Sequence, residues 1–303
     1  MPTPATSDIS VVIPYYNREE YIDEAIQSVL AQTLQPLEII IVNDCSRESS
    51  RRYLDHYAGV CTVIDLPLNV GLAAARNEGI RCARGQFIAF LDDDDVWESK
   101  KLEVQVQYLR ERPDCAAVHT ALRAFYAGGA ERIFDQKPSP LTLSHALKQP
   151  SEVVVSSLLI RTDVMRALGG FDPRFRRAED HEFQIRCAAA SYRMEAIPEL
   201  LVRFRRQGHA SLTKRSSLMF LAHVRLCRKH KALFRRVYGV RGIVSFLLAS
   251  LELDSGTVRY VGGAMRFLTR LIPVKWEVRP DYEEPVQGVP KLNDPSIQFD
   301  APK

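Results

Sequence analysis

Four consecutive carboxylates, Asp92, Asp93, Asp94 and Asp95, follow the apolar run 87–91. Adjacent carboxylates repel one another unless a cation or a set of hydrogen-bond donors compensates them. The run before them has the length and character of a buried strand, so Asp92 falls at its carboxyl end, the edge where open α/β sheets place ligands. A divalent cation is the natural compensator, because Mg²⁺ and similar ions prefer carboxylate oxygens and keep water and phosphate ligands as well. The spacing Asp92-x-Asp94 is therefore a candidate site for a metal–diphosphate complex. The competing account is a solvated turn, with Asp95 capping the next helix and Glu98 as its capping-box partner. That pattern assigns Asp95 to the cap and leaves Asp92, Asp93 and Asp94 unexplained.

Other candidates stand at the ends of neighbouring runs. The first run ends in Pro14-Tyr15-Tyr16-Asn17, where a tyrosine can stack on a nucleobase and Asn17 can cap a helix starting near Glu19. Taken alone, cap and core are the simpler roles for these four. The second run ends in Asn43-Asp44-Cys45-Ser46; Asp44 suits either a base N–H or an Asx-turn. Gly71 and three alanines then open a helix in which Arg76 lies one turn in, pointing back toward the ligand edge. A guanidinium there suits phosphate or carbonyl oxygens. Neither G-x-G-x-x-G nor G-x-x-x-x-G-K-[ST] occurs, so phosphates must be held by a metal and basic side chains. Further on, Gly169-Gly170-Phe171-Asp172 leads to Glu179-Asp180, two adjacent carboxylates whose repulsion can raise the pKa of one toward that of a general base. The simpler account of that pair is acidic enrichment in a helix's first turn. His209, in the basic loop 205–211, is a candidate metal ligand or diphosphate contact.

Strands are expected at 9–16, 37–42, 60–66 and 87–91, and helices at 19–32, 49–57, 71–83 and 99–111. This alternation predicts an α/β fold with a mostly parallel central sheet flanked by helices. Beyond Pro113 the pattern predicts strands at 116–126, 153–160 and 199–205, a loop over 130–150, and a helix over 178–190. Residues 215–272 read as a C-terminal helical extension and those from 273 as an irregular tail.

With 303 residues, 46% hydrophobic and 26% charged, the chain excludes wholesale disorder and suits one large domain with an appendage. No stretch of about 18 uninterrupted apolar residues is present, nor a leader-like N-terminus, so a cytoplasmic protein is expected. The six cysteines are scattered without C-x-x-C, as for reduced thiols. Residues 203–241 hold twelve Lys and Arg and no Asp or Glu.

In their order along the chain these pieces resemble family 2 glycosyltransferases of the GT-A fold. The matching motifs are Pro14-Tyr-Tyr16-Asn17, Asn-Asp44-Cys-Ser46, Asn69-x-Gly71 with Ala75-Arg76-Asn77, Asp92-Asp-Asp94-Asp-x-Trp97, and Gly-Gly-Phe171-Asp172 followed by Glu179-Asp180. The resemblance spans residues 9–182, with a looser match to His209-x-Ser211. It implies inverting transfer of a sugar from a nucleotide-sugar donor, a UDP-sugar by default, to a glycan or lipid-linked acceptor. It further implies Tyr16 and Asp44 on the base, Arg76 near base or diphosphate, and Asp92 and Asp93 on the ribose. Asp94 would ligate Mg²⁺ or Mn²⁺, and Asp180 would be the catalytic base, with Glu179 as second choice. The expected division is a glycosyltransferase domain over 1–214, with a nucleotide-sugar half 9–112 and an acceptor half 113–214, then the extension 215–303. Members that build long polymers carry membrane-spanning helices and Q-x-x-R-W, and this chain shows neither, which favours single transfers.

Two alternatives stay open at this level. Asp92-x-Asp94 after an apolar strand also fits the nucleophile motif of haloacid-dehalogenase-like phosphatases, and the chain could be a non-catalytic nucleotide-sugar binder. The mixed apolar and basic extension suggests packing on the main domain or in a homodimer, or contact with anionic lipid through 215–272 on a membrane's cytoplasmic face. Without a recognisable motif, the basic run does not indicate nucleic acid.

Overall fold

The computed structural model describes residues 7–126, 129–136, 140–148, 153–206, 216–252 and Glu283. The first half alternates strand and helix: β1 (Ile9–Tyr15), α1 (Ile22–Leu30), β2 (Glu38–Asn43), α2 (Glu48–Tyr53), β3 (Thr62–Asp65), α3 (Leu72–Cys82), β4 (Phe87–Phe90), β5 (Val96–Trp97) and α4 (Lys101–Glu111). The second half holds β6 (Cys115–Tyr126), β7 (Glu131–Phe134), α5 (Leu143–Ala146), β8 (Leu159–Arg161), α6 (Thr162–Ala167), α7 (Glu179–Ala189), β9 (Arg193–Arg206), α8 (Ser216–Lys229) and α9 (Lys231–Glu252).

The strands form one sheet in the order β3-β2-β1-β4-β8-β6-β9-β5, with β7 paired on β6. The first four run parallel, and β8 enters antiparallel to β4. The second half is mixed: β6 pairs antiparallel with β7 and β8 but parallel with β9. Strands with both faces covered read as continuous apolar runs, and every residue of β1 is buried. Successive side chains go to opposite faces: Val12, Ile40, Ile88 and Phe90 join one core, Ile9, Val11, Ile13 and Ile41 the other. Gly79 lets α3 lie close on β1, since a Cβ there would meet Val12 Cγ1 at 2.3 Å. Leu226, Phe234, Val237 and Phe246 of α8 and α9 belong to the first of these cores, so both helices pack on the sheet's helical layer.

Several expectations are corrected. Asp95 does not cap a helix: the chain continues from it into β5, and α4 starts at Lys101 after Lys100 with no side-chain cap. Asn17 does not cap either, because α1 starts at Ile22 after Tyr21, and the Asn17 side chain accepts from the Arg47 N–H instead. The stretch 130–150, expected as loop, contains β7 and α5. The run 153–160 is a 3₁₀ turn at Val155–Ser157 followed by the short β8, with Ser156 and Ser157 turned to other work. His209, Ser211 and most of the expected tail lie outside the described residues.

Candidate functional site

The carboxyl ends of β1, β2 and β4 lie side by side, and the candidate residues collect there. The loops after β1 and β2 are joined: the Asp44 N–H donates to the Tyr15 carbonyl, and the Asn17 N–H to Ser46 Oγ. Three non-glycine residues at this edge and at the foot of α7 have left-handed backbone, Asn17 (φ 52°), Cys45 (φ 58°) and Ala178 (φ 57°). Such conformations persist only where surrounding contacts hold them. Pro14 and Tyr15 are buried, and the Tyr15 hydroxyl pairs with Ser50, so both are framework. Tyr16, 48% exposed, keeps its ring open to a stacking partner. Asp44 accepts from the backbone N–H groups of Val70 (2.7 Å) and Gly71 (2.9 Å), fixing the entry to α3.

The four-aspartate run divides three ways. Asp92 pairs with Arg76. Asp93 and Asp94 both face one nitrogen of Arg18, at 2.9 and 2.5 Å. Asp95, fully buried, accepts from the Ser156 hydroxyl (2.5 Å) and the Arg205 backbone N–H (2.9 Å). Ser156 Oγ also accepts from the Asp92 N–H, and the Arg205 side chain donates to the Asp94 carbonyl. Burial pushes Asp93 up to about 7, against the pull of Arg18. Burial likewise raises Asp94 and Asp95, with neighbouring aspartates adding to it.

Arg76, expected against a base or diphosphate, is 1% exposed and bridges Asp92 to Glu179 Oε1, the latter at 2.9 Å. Burial works against its charge, but the two carboxylates outweigh that and raise its pKa. Phe171 packs against the Arg76 guanidinium, with 5.4 Å to the ring centroid. Asn77 pins the Phe171 backbone through both its N–H and its carbonyl. Gly170 (φ 69°) is required beside it, since a Cβ would come within 2.4 Å of Asn77 Oδ1.

Asp180 follows Glu179 in the first turn of α7 and is only partly exposed. Burial first, then the Glu179 charge, raises its pKa to about 7. Among the described residues its hydrogen-bond donor is the adjacent His181 N–H. The two carboxylates therefore differ: Glu179 is held by a buried guanidinium, whereas Asp180 is free to exchange a proton near neutrality.

Sequence reasoning missed Arg18, Ser156 and Arg205. Polar Ser156-Ser157 inside the run 153–160 was a usable signal; the two arginines carried none, because their partners lie about 75 and 110 residues away. Among the described residues, no group of three or more His, Cys, Asp or Glu converges as a metal site. Two carboxylate oxygens do converge on one cationic nitrogen at Asp93 and Asp94. Hard oxygen donors of that kind fit Mg²⁺ or Mn²⁺ if phosphate oxygens and water complete the shell.

Residues 10–154 match the family profile described as Glycosyl transferase family 2. A Bacillus subtilis protein named as a teichuronic acid biosynthesis glycosyltransferase, TuaG, is 36% identical over 159 residues, which take in 51% of this chain and 62% of that protein. The chain thus spans less than two thirds of that relative's length. An uncharacterized glycosyltransferase of Methanocaldococcus jannaschii is 28% identical over 69% of this chain and 76% of its own. Among solved structures, S. aureus TarS 1-349 in complex with UDP-GlcNAc has a TM-score of 0.64 at 18% identity, over 85% of this chain and 78% of its own. At that identity the likeness establishes the GT-A architecture, a mixed sheet flanked by helices. The phosphatase alternative loses its ground: the matching profile is of another family, three strands precede β4, and Asp92 is already paired with a buried arginine.

Proposed function

We propose that this chain, whose residues 10–154 match the glycosyl transferase family 2 profile, transfers a single sugar, with inversion, from a UDP-sugar to a hydroxyl of a glycan or lipid-linked acceptor. The observation that carries this reading is the Asp92–Arg76–Glu179 bridge. It ties the aspartate run to the foot of α7 and leaves Asp180, with a pKa raised to about 7, as the free base. Asp180 takes the proton of the acceptor hydroxyl as that oxygen displaces the nucleoside diphosphate, so one carboxylate suffices for a single displacement. Glu179 is a positioning group, and Arg76 acts through its two carboxylates. Tyr16 stacks on the base beside Asp44, and Asp92 and Asp93 are the candidates for the ribose.

Asp94 is the residue proposed to hold Mg²⁺ or Mn²⁺. A bound ion would neutralise charge developing on the leaving diphosphate. The donor class draws support from TarS, a structural neighbour whose solved complexes contain UDP and UDP-GlcNAc. No helix of the described residues is long and apolar enough to cross a membrane. Exposed Leu218, Leu221 and Val244 of α8 and α9, set among basic residues, are the surface proposed to rest on anionic lipid beside a lipid-linked acceptor.

The test begins with thermal shifts in UDP, GDP, dTDP and UDP-sugars, with and without Mn²⁺, since a ligand of the native state raises its apparent stability. UDP with Mn²⁺ is expected to raise the melting temperature. Asp180→Asn should keep that shift and lose transfer by about 10²–10⁴-fold. Normal transfer by Asp180→Asn overturns the assignment of the base. Binding of UDP-sugars without any product, with every acceptor tried, would favour a non-catalytic binder.

A further inference from the structure

Three guanidiniums compensate the aspartate run, and they differ in freedom. Arg76 is 1% exposed and held at both ends. Arg205 is 10% exposed, clasps the Asp94 carbonyl, pairs with Glu24 and lies over Tyr21 and Phe125. Arg18 is 27% exposed, and its salt bridges run from a single nitrogen, Nη1, to Asp93 and Asp94. Its backbone is fixed, because its carbonyl accepts from the Tyr21 and Ile22 N–H groups at the start of α1. Only the side chain has a way out.

We propose that Arg18 is a resident counter-cation of the Asp93–Asp94 pair, displaced by a divalent ion when a nucleoside diphosphate is present to receive the guanidinium, so that metal and nucleotide bind as a coupled pair. The proposal rests on the metal-dependent reading given above and adds an order to it. A metal ion arriving alone must break both Arg18 contacts. It leaves the guanidinium without its two carboxylates, while Asp93, 7% exposed, exchanges that cation for the ion and keeps the Tyr16 N–H as a donor. Removing one partner of a buried pair is costly for the charge left behind. With a diphosphate in place, the released guanidinium gains phosphate oxygens, for which its planar fork is suited. Displacement is then favourable, and thermodynamic reciprocity requires the metal to raise nucleotide affinity by the same factor.

The experiment is Mn²⁺ binding to the full chain, followed by electron paramagnetic resonance of free Mn²⁺ and by calorimetry, with and without UDP. In the wild-type protein, UDP is expected to raise Mn²⁺ affinity by about tenfold or more. Arg18→Gln should bind Mn²⁺ alone about tenfold more tightly than wild type, and the gain from UDP should shrink correspondingly. Arg18→Lys keeps the charge but gives up the fork; it should bind Mn²⁺ alone roughly two- to fivefold more tightly, and it serves if the glutamine variant fails to fold. Mn²⁺ affinity without UDP that is unchanged or weaker in a folded variant, while UDP still promotes Mn²⁺ binding, overturns the role of Arg18 and leaves the metal-dependent reading standing. No Mn²⁺ uptake by any of these proteins, even with UDP, overturns both.

Discussion

Asp180 and Glu179 occupy adjacent positions on α7 and differ in their surroundings because of one buried arginine. Glu179 is paired with Arg76; Asp180 is not, and its pKa rises to about 7. A carboxyl whose folded pKa lies above its unfolded value near 3.9 binds its proton more tightly in the native state. Native stability is therefore lost as pH rises between about 4 and 7, the interval over which the proposed base loses its proton. Asp180→Asn should accordingly melt at a higher temperature than wild type at pH 8, with the difference closing toward pH 4. Melting curves across that range check this, and equal melting temperatures at pH 8 contradict it. The transfer rate of the wild type should rise with pH through an apparent pKa near 7, a limb the variant lacks.

At the scale of elements, α7 is held from behind by α8. Glu182, fully buried on α7, pairs with Arg186 (2.8 Å), Lys229 (2.7 Å) and His230 (3.1 Å). Lys229 also reaches Asp172 (2.6 Å), in the segment that packs on Arg76 through Phe171. Although burial opposes its charge, hydrogen bonds from Arg174 and Lys229 hold the Asp172 carboxyl down at about 2. A depressed carboxyl contributes stability above its unfolded pKa near 4, and that contribution is lost as pH falls toward about 2. Asp172→Asn should lower the melting temperature at pH 7 and lose less on acidification from pH 4 to 2, which calorimetry at stepped pH can read. This clasp was illegible in the sequence, because Lys229 lies 47 and 57 residues from its two carboxylates and each is an ordinary charged residue alone. What was legible was local. The apolar runs gave the first four strands to within about two residues, and the glycine pair marked the end of α6. Asp95 was misread because a capping pattern is local, whereas its real partners, Ser156 and Arg205, arrive from other strands and turns.

At the scale of the whole molecule, the expected boundary near residue 214 divides the chain just before two helices that complete a core. Leu226, Phe234, Val237 and Phe246 are fully buried against residues of the sheet and of α7. At about 1.5–3 kcal/mol each, these four side chains represent up to roughly 6–12 kcal/mol of burial. That is comparable to the whole stability of a typical domain, about 5–15 kcal/mol. A chain ending at residue 214 should therefore lack a cooperative melting transition and expose apolar surface to a dye such as ANS, whereas removal of 253–303 alone is the control expected to melt cooperatively. The aspartate run has a related dependence on distant chain. Asp95 waits for the Arg205 N–H, 110 residues further on. During synthesis at about 5–20 residues per second, that separation amounts to roughly 5–20 s in which the nascent strand ends in charges lacking this partner. The edge proposed as the active site is thus a late product of translation, and any pause between codons 95 and 205 lengthens the time for which it depends on water or chaperones for solvation.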